Sequence, residues 1–235
     1  MPPPKAKIMN EKKKRILLGV LDVAVNLGVI AILVVIIQTW IIAPFDVSGS
    51  SMCNTLNFID EECHPGFGEK IIINEALYLF NDPERGDIVV FKAPGEGEER
   101  YFIKRVIGLP GDEVEIKNGE VYLKKTGEEK SEKIEENYLN ENNKGNTKTY
   151  YNYTTFSVPE GNYFVMGDNR NASTDSRSCF QGEINGLCAE HPENAYISKD
   201  RIRGKAWVVW WPLGNMRVLG DGEDVYQNSQ SLEEK

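Results

Sequence analysis

The sequence predicts a mostly β domain carried on a single N-terminal membrane helix. Three observations lead there. Twenty residues from Val23 to Ile42 carry no charge, and only Asn26, Gln38 and Thr39 among them are clearly polar. Beyond them, short β-branched and aromatic runs alternate with turns rich in Gly, Pro and Asn, which is the pattern of strands. Helical periodicity is scarce after the first segment, which places the rest in the β class. A chain of 235 residues accommodates one medium domain with a sub-domain and flanking segments.

The apolar run comes first. At about 1.5 Å per helical residue it reaches roughly 30 Å, one hydrocarbon thickness. Trp40 near its far end suits an interfacial anchor. Residues 1–15 form a basic arm: Lys5, Lys7, Lys12, Lys13, Lys14 and Arg15 against Glu11 give +5, so a whole-chain charge of -9 leaves -14 for the rest. The positive-inside rule then puts the arm in the cytoplasm and the body outside. The acidic body argues against nucleic-acid binding, which needs a basic face to neutralise phosphates. A cleaved signal peptide is the alternative, and Ser48-Gly49-Ser50 resembles a small-x-small cleavage site. The apolar core of a signal is about 7–15 residues, however, and this run is longer, which favours a retained anchor. The anchor takes residues 16–43, and Pro44 ends its helix because proline cannot continue the hydrogen bonds.

The extracytoplasmic domain takes residues 44–219. Lys70–Asn74, Ile88–Phe91, Arg100–Gly108, Glu113–Ile116, Tyr163–Met166 and Ile202–Trp211 read as strands. Asn118-Gly119 centres a hairpin. Residues 117–160 read as an inserted sub-domain, with its charged 124–149 stretch exposed or partly mobile. Residues 220–235 form an acidic tail. Trp207 and Trp211 share a strand face and are expected in the core, with Trp210 pointing the other way.

Cys53, Cys63, Cys179 and Cys188 make an even number outside the membrane, which favours disulfides. Neighbours in sequence suggest Cys53–Cys63 and Cys179–Cys188. Structural zinc, using His64 and His191, is the other option; it is weakened by the lack of a C-x-x-C pair. No metal and no cofactor is assigned.

Three serines, Ser48, Ser50 and Ser51, cluster just beyond the anchor. A serine hydroxyl needs a base to become a nucleophile. His64 and His191 sit in loops flanked by cysteines and read as solvated loop residues. The other possible base is a lysine held neutral by desolvation. Lys104 differs from the other lysines, having Phe102 and Val106 on its own strand face. A lysine snorkelling at a strand edge is the bland alternative.

Four blocks in order resemble bacterial type I signal peptidases: Ser51-Met52, Gly86–Phe91, Lys104–Asp112, and Gly167-Asp168-Asn169-Arg170 through Asp175-Ser176-Arg177. The resemblance implies a Ser–Lys dyad that cuts signal peptides from secretory pre-proteins through an acyl-enzyme, at the outer face of the cytoplasmic membrane and against its lipids. It makes Ser51 the nucleophile and Lys104 the general base. Ser173 becomes the residue that orients the lysine. Asp175 and Arg177 become a supporting pair, though their sequence alone reads as solvated loop charges. Asp168 and Arg105 join the supporting set. The backbone N–H of Ser51 is the implied oxyanion donor. Gly49 stands where some relatives carry a serine that adds a second donor.

A second departure lies at Cys53-Asn54-Thr55, where the family has proline before the threonine. A Cys53–Cys63 bridge is expected to supply the restraint that proline would give. The family prefers small residues one and three positions before the cut. Ser51 follows Ile42 by nine residues, at most about 30 Å when extended, so the nucleophile is expected near the membrane. Three rivals are weaker. A self-cleaving repressor would need a DNA-binding domain. A non-enzymatic assembly protein would not need both Ser51 and Lys104. A thiol oxidoreductase would carry C-x-x-C.

Overall fold

The structure, a computed structural model, describes residues 11–53, 55–60, 62–93, 100–150, 152–180 and 191–220. The tip of the basic arm, Asn54, the 94–99 loop, Cys188 with its expected bridge to Cys179, and the tail past Gly220 lie outside these residues. The chain divides into two units, Met1–Ile41 and Ile42–Lys235.

The first unit is one helix, α1 (Glu11–Trp40). Its Lys13–Val35 stretch is long and apolar enough to cross a membrane. The helix starts inside the basic arm and stops before Pro44. Ile42 and Ala43, read from sequence as the end of the anchor, already belong to a strand. Pro44 therefore does not end the helix. It lies in that strand, which is at a sheet edge, where a missing N–H leaves no central ladder bond unmade.

The second unit is built of strands β1 (Ile42–Ser48), β2 (Phe58–Ile59), β3 (Glu62–Cys63), β4 (Phe67–Asn74), β5 (Ile88–Lys92), β6 (Tyr101–Gly108), β7 (Glu113–Lys117), β8 (Glu120–Lys124), β9 (Glu132–Lys133), β10 (Thr155–Ser157), β11 (Asn162–Met166), β12 (Ile197–Ser198), β13 (Ile202–Trp211) and β14 (Arg217–Val218). A four-residue helix, α2 (Leu77–Phe80), follows β4. The main sheet runs β1-β4-β13-β5-β6-β11-β12, with β14 beside β13. A second sheet, β10-β7-β8-β9, covers most of the expected insert but begins before it, at Glu113, and β2 pairs β3.

The uninterrupted apolar run of β5 is buried on both faces, as such runs are. Ile88 and Val90 enter a core with Val47, Met52, Ile71 and Val209. Val89 and Phe91 enter another with Val106, Val165 and Phe180. The second sheet packs on the main one through a shared core, in which Ile107 and Phe164 of the main sheet meet Val114, Ile116, Val121 and Leu123. Asn118 and Gly119 both take positive φ at the β7–β8 turn, +54° and +81°, the backbone a two-residue hairpin requires.

One expectation fails. Trp207 and Trp211 are exposed, at 49% and 44%, rather than core. Register shifts after Ala206 and Val209 break the alternation, so β13 buries those two residues instead. The charged 124–149 stretch is largely exposed, as its composition suggests, with a few inward-facing residues. Glu136, Leu139, Asn143 and Thr147 are buried.

Candidate active site

Ser51 lies in the turn that follows β1. Cys53 N–H donates to Ser50 O at 3.0 Å, and Leu56 N–H to Met52 O at 2.8 Å. Met52 and Leu56 are buried in the core that also holds Val47, so both sides of Ser51 are pinned by apolar packing. Gly49 has φ +88°, in the region an L side chain enters only with strain, which accounts for glycine at this position. The Ser51 backbone N–H meets no acceptor among the described residues. Cys53 is bonded to Cys63, with Cα atoms 5.8 Å apart.

Lys104 reaches the same point from β6. Its register partner is Val89, and Met166 of β11 pairs the adjacent Arg105, so the end of β11 runs alongside. Lys104 is 4% exposed. Its Nζ lies 2.8 Å from Ser51 Oγ and 2.9 Å from Ile103 O, and 5.2 Å from the Phe102 ring centre. Burial pushes its ammonium down to about 8. The charges of Asp175 and Asp168 act upward against this, and that of Arg177 acts with it. Ser51 and Lys104 line a cleft of about 300 Å³ together with Phe45, Val47, Tyr101 and Thr174.

The loop after β11 backs the pair. At Gly167 a Cβ would collide with Ser51 O and Ser173 Oγ, so only glycine lets this strand end against the serine turn. Asn169 donates its backbone N–H to Ser51 O and its Nδ2 to Ser50 O, each at 3.0 Å. Asp168 accepts from Arg105 Nε at 2.9 Å and Nη2 at 2.7 Å, and from Thr55 Oγ1 at 2.5 Å. Asp175 and Arg177, both fully buried, form a two-pronged pair at 2.9 and 2.8 Å. Burial raises Asp175, but the charge and hydrogen bonds of Arg177 and the Gly167 N–H outweigh it and hold the carboxyl below its usual range.

The predicted residues thus converge, with one difference. Ser173 is buried beside Gly167, where its hydroxyl acts on the Asp175 carboxyl, while the contacts of Lys104 Nζ are Ile103 O and Ser51 Oγ. Neither histidine joins the group: His64 contacts Ile59 O and His191 contacts Glu193.

Sequence reasoning missed a second layer. Asn57, fully buried at φ +57°, donates Nδ2 to Val47 O at 3.1 Å and Gly49 O at 3.2 Å, and exchanges two bonds with Glu69. Asparagine tolerates that backbone region better than most residues, and this was its one available signal. Glu69 offered none. It pairs Arg217, which comes from 148 residues away.

The signal peptidase model, peptidase S26, matches residues 20–211. The chain is 32% identical to signal peptidase I S of Bacillus subtilis (strain 168) over 213 residues, 88% of this chain and 96% of the relative. It is 35% identical to a signal peptidase I of Bacillus amyloliquefaciens over 203 residues, 85% and 92% of the two chains. A crystal structure of a signal peptidase I from Enterococcus faecalis V583 is 27% identical and covers 53% of this chain and 97% of its own, at a TM-score of 0.37 that is too low to compare folds. The chain belongs to the signal peptidase family, peptidase S26, and is a serine endopeptidase of that type.

Proposed function

We propose that the protein removes signal peptides from secretory pre-proteins with Ser51 as nucleophile and Lys104 as general base, through an acyl-enzyme. The observation that carries this reading is the 2.8 Å contact between Lys104 Nζ and Ser51 Oγ at a buried site. A neutral Lys104 takes the hydroxyl proton as Ser51 attacks the scissile carbonyl, then returns it to the leaving amine. Water then attacks the ester carbonyl as the lysine takes its proton, and the lysine returns that proton to Ser51 Oγ as the ester bond breaks and the carboxylic acid leaves. The Ser51 N–H stabilises the tetrahedral oxyanion.

The substrate reading rests on two free strand edges. Among the described residues, β1 pairs only β4, and residues 101–104 of β6 pair only β5. Both border the cleft at Ser51, so an extended peptide lies between them by strand addition. Lys13–Val35 serves as a membrane anchor, with its basic arm cytoplasmic and the β unit outside.

The test incubates the detergent-solubilised protein with a pre-protein carrying small residues one and three positions before the cut. Wild type cleaves it, and Ser51→Ala and Lys104→Met do not. Cleavage retained by either variant refutes the dyad.

A further inference from the structure

Arg170 stands out among the residues not used above. It is fully buried, and Glu136 from the inserted sub-domain holds it. Its Nη1 donates to Glu136 Oε2 at 2.9 Å and to Thr147 Oγ1 at 2.9 Å, and its Nη2 donates to Glu136 Oε1 and to Tyr138 Oη at 3.0 Å. Its Nε donates to Gly167 O at 3.1 Å. The donors of the guanidinium are thus divided between the insert and the loop behind the nucleophile. Tyr138 reinforces the link: it donates to Glu136 Oε1 at 2.7 Å and lies 4.0 Å beneath the Arg105 guanidinium. Arg177 closes the circuit by donating to both Arg170 O and Lys148 O.

The neighbour of Arg170 is Asn169, which makes both bonds to the Ser50 and Ser51 carbonyls. A shift of Arg170 therefore moves Asn169, and with it the turn that sets Ser51 Oγ against Lys104. Misplacement by about 1 Å at such a site lowers rate by up to 10²-fold. We propose that Glu136 is a positioning residue for Ser51, acting through Arg170 and Asn169. The proposal rests on the Ser51–Lys104 reading. It gives the insert a role in the reaction: its carboxylate fixes the arginine that fixes the nucleophile turn. A carboxylate is suited to this because it accepts from two guanidinium nitrogens at once, which a single amide oxygen cannot match.

The experiment compares full-length wild type with Glu136→Ala, Glu136→Gln and Glu136→Asp, using Glu141→Gln as an exposed carboxylate control from the same segment. Cleavage of a pre-protein is measured well below each variant's unfolding midpoint. The expected result is a fall in kcat of about 10- to 100-fold for Glu136→Ala and a smaller fall for Glu136→Gln, with KM within twofold. Glu136→Asp recovers part of the loss, and Glu141→Gln matches wild type. If Glu136→Ala does not fold, Glu136→Gln carries the same criteria. A kcat within twofold of wild type in the folded variants overturns the proposal, as does a change confined to KM. If Ser51→Ala, run alongside, still cleaves, it is the dyad that has failed. If Ser51→Ala is inactive while the folded Glu136 variants are unaffected, only the positioning role has failed.

Discussion

Lys104 Nζ lies 2.8 Å from Ser51 Oγ, and the lysine that makes this contact is 4% exposed. The same burial that lowers its proton affinity opposes folding. The folded value is about 8 against 10.5 for a free lysine, so between these values the unfolded chain binds more protons. Stability contributed by this group therefore rises with pH from about 8 to about 10.5, and below that window the folded state carries a buried charge. The difference corresponds to roughly 3 kcal/mol at neutral pH. Lys104→Met is expected to lose activity while gaining about 1–3 kcal/mol of stability at pH 7, with the gain fading as pH passes 10. Urea unfolding of both proteins at several pH values checks this. A variant less stable than wild type at pH 7 would contradict it.

As the proposed base, Lys104 must be neutral to accept the serine proton, so kcat/KM is expected to rise with pH through a limb near 8 and then level off. Arg177 helps to set that limb, because its positive charge pushes Lys104 downward. Removing it as Arg177→Met moves the limb to higher pH. The same change strands Asp175, fully buried, without its partner, and destabilises the fold by about 3–5 kcal/mol. The two effects are read separately, by a pH–rate profile of the folded fraction and by denaturant unfolding. A limb that stays in place would remove Arg177 from the electrostatics of the lysine, and one that moves down would show that Asp175, the larger influence, takes up a proton once its partner is gone.

How much of this was legible in the sequence differs by residue. The strands carrying Lys104 and Met166 stood out because β-branched and aromatic residues are concentrated there between turns. The Asn118-Gly119 hairpin was legible because its backbone angles admit few residues. β1 was not, since Ile42 and Ala43 continue the apolar run of the helix and composition cannot show where hydrogen bonding changes partners. The exposure of Trp207 was hidden by register shifts, which leave no mark in the residue pattern. At the site, Lys104 was distinctive through its apolar neighbours, while Ser51 could be separated from Ser48 and Ser50 only by family resemblance. The contacts of Asn57 with Glu69 and of Arg170 with Glu136 join distant segments. No local spacing encodes such a pairing.

The turn that carries Ser51 has Asn54 where the resemblance to signal peptidases implied a proline, and Cys53 is bridged to Cys63. The bridge closes a loop over a sequence separation of 10, for which the chain-entropy relation gives about 2–3 kcal/mol. Cys53 is fully buried two residues beyond Ser51, so a slack loop is transmitted directly to the serine. The double variant Cys53→Ala with Cys63→Ala is therefore expected to lose about 2–3 kcal/mol of stability and to show a lower kcat with little change in KM. The two effects are read separately, as the free energy of unfolding and as kcat of the folded fraction. Unfolding and steady-state cleavage measured on the same preparations check both arms. A double variant with wild-type kcat would show that Asn57, with its bonds to Val47 and Gly49, holds the turn without the bridge.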